Sequence, residues 1–266
     1  MKNNRLVIIG VCLIIIFSIV GGAVLKQRKA RHYKNSYVPT IIFMDKANNG
    51  GKNISLANKI KNKGVTSNIC QFSIVKDNKI VVRGNFRSKT LNPIIQVKGQ
   101  KLTVNSIDKV MKKVKSIYHT KNYNIILLYG VANTYFDYLV RQKRSNFKLN
   151  NLICIAGDFA FNEDKSLTID HSGKPDYISK NYRKFLLLRH NKMLNQTRVL
   201  NIMGNNSDNS DGIVLNASSK ALKYLVYPET SVYVEKVITG KNSEHFQLIK
   251  NKLVEQTIID FLWLNK

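Results

Sequence analysis

The sequence predicts an α/β domain on a mostly parallel sheet with helices on both faces, preceded by one N-terminal transmembrane helix. Three observations lead there. Short β-branched runs, such as Val38 to Met44, Asn124 to Leu128, Asn151 to Ala156 and Thr197 to Met203, read as strands buried on both faces. Helical patterns separate most of these runs, which makes their strands parallel. One uncharged run, Leu6 to Leu25, is just long enough to cross a bilayer as a helix.

Residues 1–25 form the anchor in this reading, 26–37 a basic linker, and 38–266 the folded domain, with a lid insertion at about 158–193. Lys2 and Arg5 precede the apolar run, and Lys26, Arg28, Lys29, Arg31 and Lys34 follow it. The excess of positive charge after the run opposes export. A short basic start before an apolar run is nevertheless the pattern of a secretion signal. The first reading is an uncleaved signal anchor, single-pass, with the domain outside the cell. The second is a signal cleaved near Ala23, after Gly21-Gly22, which would release the domain.

The chain has 266 residues, 44% of them hydrophobic, enough for one large core. It carries 43 Lys and Arg against 16 Asp and Glu, a formal charge of +27. Such a surface attracts polyanions, so the expected partners are the membrane and an anionic wall polymer or lipid head groups. No nucleic-acid-binding motif accompanies the charge, so no specific nucleic-acid role is expected. The small-molecule ligand is not specified by any motif. Cys12, Cys70 and Cys154 show no metal-ligand spacing, so no metal is expected, and buried free thiols are favoured over a Cys70–Cys154 disulfide.

In chain order, Val38 to Met44 is a buried strand. The turn Asp45 to Lys52 (DKANNGGK) leads into a helix from about Asn53 to Lys63. That turn could present N–H groups to an anion, but it lacks the spacing of a P-loop, and no cofactor is implied. Asn68 to Val75 and Lys79 to Gly84 alternate around Lys76-Asp77-Asn78 as a hairpin. Pro93 to Val97 adds a strand. Val104 to Tyr118 repeats apolar residues at helical spacing, with lysines mostly on the outer face. Tyr123 to Leu139 then reads as strand, sharp turn at Gly130, and helix start.

Gly157 to Met193 shows no long apolar period, as expected of a cap beyond a strand end. After the strand Thr197 to Met203 come the polar loop Gly204 to Gly212 and a helix over Ala217 to Leu225. Ser231 to Ile238 is the last strand. Thr239 to His245 is a loop, and Leu248 to Leu264 an amphipathic closing helix. Sites in such sheets lie beyond the C-terminal strand ends. Asp211 and His245 both follow strands there, in the order acid then base that serine hydrolases of this architecture use.

With these residues in place, the soluble part resembles the α/β-hydrolase superfamily. Within it, the resemblance is to exported cell-surface hydrolases of unknown substrate from low-GC Gram-positive bacteria. It is carried by PTIIFM, NPIIQV, SKNYRKFL, VLNIMG, SDGIV (Ser210 to Val214) and NSEHFQL (Asn242 to Leu248). It implies that Asp211 is the acid and His245 the general base. The family's His-Gly pair of the oxyanion side falls on Met44-Asp45, where a carboxylate would repel a developing oxyanion. Its nucleophile motif falls on Leu128 to Asn133, or one residue away, so the serine position is Tyr129 or Gly130.

The resulting expectation is a membrane-anchored, catalytically impaired relative with a binding or scaffolding role at the cell surface. The alternative is an altered hydrolase that uses His245 and Asp211, with Asp45 helping to activate water or Tyr129 acting directly.

Overall fold

The computed structural model describes residues 33–45, 55–84, 90–142, 147–161, 166–206 and 208–264. Contacts divide the chain into two units, Asn35–Trp263 and a small one of Met1–Lys34 with Leu264–Lys266. In the small unit, Tyr33 and Leu264 form an isolated antiparallel bridge.

The large unit is built on an eight-stranded sheet. Its strands are β1 (Thr40–Asp45), β2 (Ile69–Ile74), β3 (Ile80–Arg83), β4 (Ile94–Gly99), β5 (Asn122–Leu128), β6 (Lys148–Ile155), β7 (Thr197–Asn205) and β8 (Thr230–Thr239). They lie in the order β3-β2-β4-β1-β5-β6-β7-β8. Every neighbouring pair is parallel except β2 and β3, the hairpin the alternating pattern predicts. A mostly parallel sheet is thus borne out.

A buried polar row crosses the sheet near the strand starts. Thr40 lies opposite Asn124, Asn124 opposite Asn151, and Asn151 opposite Arg198. Asn124 donates to Thr40 Oγ1 at 3.2 Å, Asn151 donates to Asn124 Oδ1 at 2.7 Å, and Arg198 donates to Asn151 Oδ1 at 3.2 Å. A slip of one residue would turn these groups out of line and leave them unpaired, so the row fixes the register.

One face of the sheet carries α1 (Leu56–Asn62) and α7 (Lys252–Trp263), which pack together. Against the other face lie α2 (Val104–Tyr118), α3 (Val131–Arg141), α4 (Lys180–Phe185), α5 (Asn216–Lys220) and α6 (Leu222–Val226). Helix α2 begins where Thr103 and Ser106 exchange side-chain-to-backbone hydrogen bonds, a reciprocal cap that satisfies two otherwise unpaired N–H groups. It buries Ile107, Val110, Met111, Val114 and Tyr118, one stripe at helical spacing.

Two sequence expectations are corrected. The closing helix begins at Lys252, not Leu248, because Asn251 caps it by accepting from Leu253 N at 2.8 Å. Residues His245–Lys250 form a 3₁₀ turn instead. The single helix over Ala217 to Leu225 is two short ones that meet at Ala221. The buried Tyr182 hydroxyl donates to the Ala221 carbonyl at 3.0 Å, a bond from outside the helix at the break.

The segment between β6 and β7 buries Phe159, Tyr182, Phe185 and Leu188 in the main core, and Phe136 of α3 packs on Phe159 and Phe185. Its apolar residues follow several short turns, so no single period shows in the sequence. Cys70 and Cys154 are both buried, and neither is in a disulfide among the described residues. They sit on β2 and β6 with three strands between them, too far apart to bridge. Among the described residues no helix is long and apolar enough to cross a membrane. The expected anchor, Leu6 to Leu25, lies outside the described residues.

Candidate active site

Strand β5 runs into α3 through a two-residue turn, Tyr129-Gly130. Tyr129 N–H gives the last bond of that ladder, to the Ile155 carbonyl of β6 at 2.8 Å. The chain then turns sharply, and Tyr129 takes φ +58°. For a bulky side chain this is an outlier worth ~1–3 kcal/mol of strain, of the kind kept at functional sites. Gly130 has ordinary helical angles, φ −61° and ψ −13°, and caps α3. The register left open by the sequence is therefore decided at the backbone: Tyr129 occupies the apex, and Gly130 is the residue after it.

Asp211 is held by a tight turn beyond β7. Its Oδ1 accepts from Ile213 N at 3.0 Å and from Val214 N at 2.7 Å. The next residue, Gly212, has φ +91°, a conformation that a side chain would strain. Ser210 supports the turn by accepting from Gly212 N and donating to the Val214 carbonyl. Together these contacts leave Asp211 Oδ2 free to point elsewhere.

That oxygen meets His245. Nδ1 of His245 lies 2.8 Å from Asp211 Oδ2, and His245 N donates to the Asp211 carbonyl at 3.0 Å. An ionised carboxylate only accepts, so Nδ1 carries the proton and Nε2 is the basic nitrogen. Both side chains are buried, Asp211 at 3% exposure and His245 at 6%. Gly204, near the end of β7, lets the two loops meet. A Cβ there would stand 1.8 Å from the Ser243 carbonyl oxygen and 2.9 Å from Asp211 Cβ. The sequence pattern places Gly204 at the start of the polar loop, whereas it lies on β7 near the strand's C-terminal end, where a glycine signals a close approach.

Tyr129 lies against this pair. Its ring centroid is 4.8 Å from that of His245, with the planes 36° apart. Phe246 packs edge-on to both rings. Tyr129 is 1% exposed, and its hydroxyl finds no hydrogen-bond partner among the described residues. Burial, with a smaller effect from the Asp211 charge, pushes its ionisation well above the usual phenol range. Tyr129 is thus a neutral ring packed on the imidazole, with no hydrogen bond to it.

The fold therefore brings Tyr129, Gly130, Asp211 and His245 to one end of the sheet. Asp45 ends β1, opposite Gly99 of β4. Its side chain and residues 46–54, which follow it, lie outside the described residues.

A doubly covered, mostly parallel sheet with a strained strand-to-helix turn facing a buried His–Asp pair defines an α/β-hydrolase-type protein. The chain belongs to the family described as "Alpha/beta hydrolase of unknown function" (DUF915), whose pattern matches residues 27–265. Its fold is similar to that of the lin2722 gene product of Listeria innocua, with TM-score 0.68 and 18% identity over 85% of this chain and 93% of that one. It is also similar to a Lactobacillus plantarum protein given provisionally as a cell surface hydrolase, with TM-score 0.62 and 16% identity over 84% and 89% of the two chains. No curated protein matches the sequence.

Proposed function

We propose that this protein is a membrane-anchored, outward-facing member of its family in which binding or scaffolding has replaced acyl-transfer catalysis. The observation that carries the reading is Tyr129 at the apex of the nucleophile turn. Acyl transfer by this architecture needs a small hydroxyl or thiol there, with its proton within reach of the histidine. Tyr129 instead offers a neutral phenol whose ring covers the imidazole. On the oxyanion side, Met44-Asp45 replaces the His-Gly pair that the resemblance implies. With the nucleophile absent, at most a residual ~10³–10⁴-fold acceleration is expected, by analogy with triad knockouts.

The retained Asp211 and His245 have work to do without catalysis. Two hydrogen bonds, one through side chains and one through backbone, tie the β7 and β8 loops together. The uncharged N-terminal run and the surface description of the Lactobacillus relative support placement outside the membrane.

A second reading is an altered hydrolase in which Asp211 and His245 act as acid and base. The intact 2.8 Å contact between them favours it. An esterase assay on the full chain, using short acyl esters and a fluorophosphonate probe, separates the two. The binding reading expects no turnover and no labelling in the wild type, with labelling gained in Tyr129→Ser. Wild-type turnover that His245→Ala abolishes would overturn it.

A further inference from the structure

A cavity of about 560 Å³ opens beside the edge strand β8, in the size range of small-molecule sites. Arg189, Lys223, Tyr224, Tyr227, Tyr233 and Glu235 supply its chemistry. It shares no residue with the His–Asp site. Tyr233 pairs with Val199 in the first half of β7, whereas Asp211 and His245 lie beyond the other end of that strand.

Its two cations are positioned but not neutralised. The Arg189 guanidinium stacks over the Tyr224 ring at 3.9 Å and donates one N–H to the Tyr224 carbonyl. Lys223 Nζ donates to the His171 carbonyl at 3.0 Å. Both partners of these bonds are uncharged, and neither cation is in an ion pair among the described residues. A guanidinium has five N–H groups, so most of Arg189 stays available in a fixed orientation. Stacking on an aromatic face holds that orientation at little entropic cost.

The rest of the lining is not that of a bare anion site. Tyr227 is 60% exposed, a flat ring that folding leaves uncovered at the rim. Tyr233 is partly buried and accepts from Asn201 at 3.2 Å through its hydroxyl. Glu235 adds an exposed carboxylate that can accept from hydroxyl groups. A ring with an apolar face, several hydroxyls and one negative group would use all of these features. An inorganic anion would leave the tyrosines idle, and a neutral apolar ligand would leave two cations unpaired.

We infer that this cavity is a second ligand site, which takes an acidic sugar unit of a glycan. The sugar's carboxylate or phosphate sits on Arg189 and Lys223, and its ring lies against Tyr227. The formal charge of +27 raises the local concentration of such polymers at the protein surface. The inference does not depend on what Tyr129 does, because its readout is binding and not turnover.

Titration calorimetry on the full chain tests it with four probes: tetragalacturonate, glucose 6-phosphate, maltotetraose and inorganic phosphate. The acidic sugars should bind, with the neutral sugar and free phosphate weaker by about tenfold or more. A preference between the two acidic sugars distinguishes carboxylate from phosphate as the anchor. Tyr227→Ala and Lys223→Gln should each weaken the better acidic sugar by about tenfold, as for anchor residues of a site. Lys223 is held by one exposed hydrogen bond, so its replacement leaves the packing of Arg189 on Tyr224 in place. The site is overturned if neither acidic sugar binds, if phosphate binds as tightly as the sugars, or if Tyr227→Ala leaves the affinity unchanged.

Discussion

The Tyr129 ring lies against the His245 imidazole, centroids 4.8 Å apart and planes 36° from parallel. The contact joins an apex residue of β5 to a residue carried on the loop after β8. It therefore reports both the register of the turn and the closure of the site, and its two components can be separated by substitution.

Tyr129→Phe keeps the ring contacts and removes a buried hydroxyl without a partner among the described residues. The variant should match the wild type in stability or exceed it, by up to ~1–3 kcal/mol, the cost of an unpaired buried polar group. Tyr129→Ser empties most of the side-chain volume and should cost ~3–5 kcal/mol, as other buried aromatic truncations do. Urea midpoints for the two variants test the pair. A Phe variant as unstable as the Ser variant would mean that the hydroxyl, not the ring, holds the site.

Asp211→Ala strips the acceptor from Ile213 N, Val214 N and His245 Nδ1 at once. The loss should be at least ~2 kcal/mol, since each buried donor left unpaired costs ~1–3 kcal/mol. His245→Ala removes one of these contacts and spares the turn, so it should cost less. Thermal unfolding of both variants gives the order, and the reverse order would contradict the described geometry.

Gly204→Ala places a methyl group 1.8 Å from a backbone carbonyl oxygen, which cannot swing away as a side chain can. The expected loss is ~3 kcal/mol or more, at or beyond the upper range for overpacking. The β8 loop should also move away from Asp211. A changed His245 imidazole resonance in NMR spectra would register that movement, and an unchanged stability would refute the close approach.

Stability should fall on the alkaline side. Burial raises the ionisation of Tyr129, Tyr135 and Tyr138 above the ordinary phenol value, and pushes that of Tyr123 up to about 12. The unfolded chain loses these protons near pH ~10 while the folded protein still holds them. Unfolding is then favoured increasingly as pH rises above ~10, and the stabilisation is complete below that value. Urea midpoints measured from pH 8 to 12 should decline over the upper half of that range, with a shallower decline in Tyr129→Phe.

Much of the sheet was legible because its strands are buried on both faces and read as unbroken β-branched runs. Helix α2 was legible from its stripe of Ile107, Val110, Met111 and Val114. The break at Ala221 was not, because its cause is a hydroxyl on Tyr182, 39 residues away in the chain. The start of α7 was readable in principle, since Asn251 is a good cap, but the apolar residues Leu248 and Ile249 before it extend the helical pattern.

For the site, the sequence alone determined which residues stand at the ends of β5 and β7 and in the loop after β8, and that no Ser or Cys is among the residues of the β5 turn. Those are properties of chain order and residue type. Only the tertiary structure decided that Tyr129, not Gly130, takes the strained apex, that its ring lies on His245, and that Gly204 admits the loop carrying Ser243 and His245. Each of these depends on a backbone angle or on contacts between segments distant in sequence. A local pattern cannot encode them, because their energies arise only when the strands are already side by side.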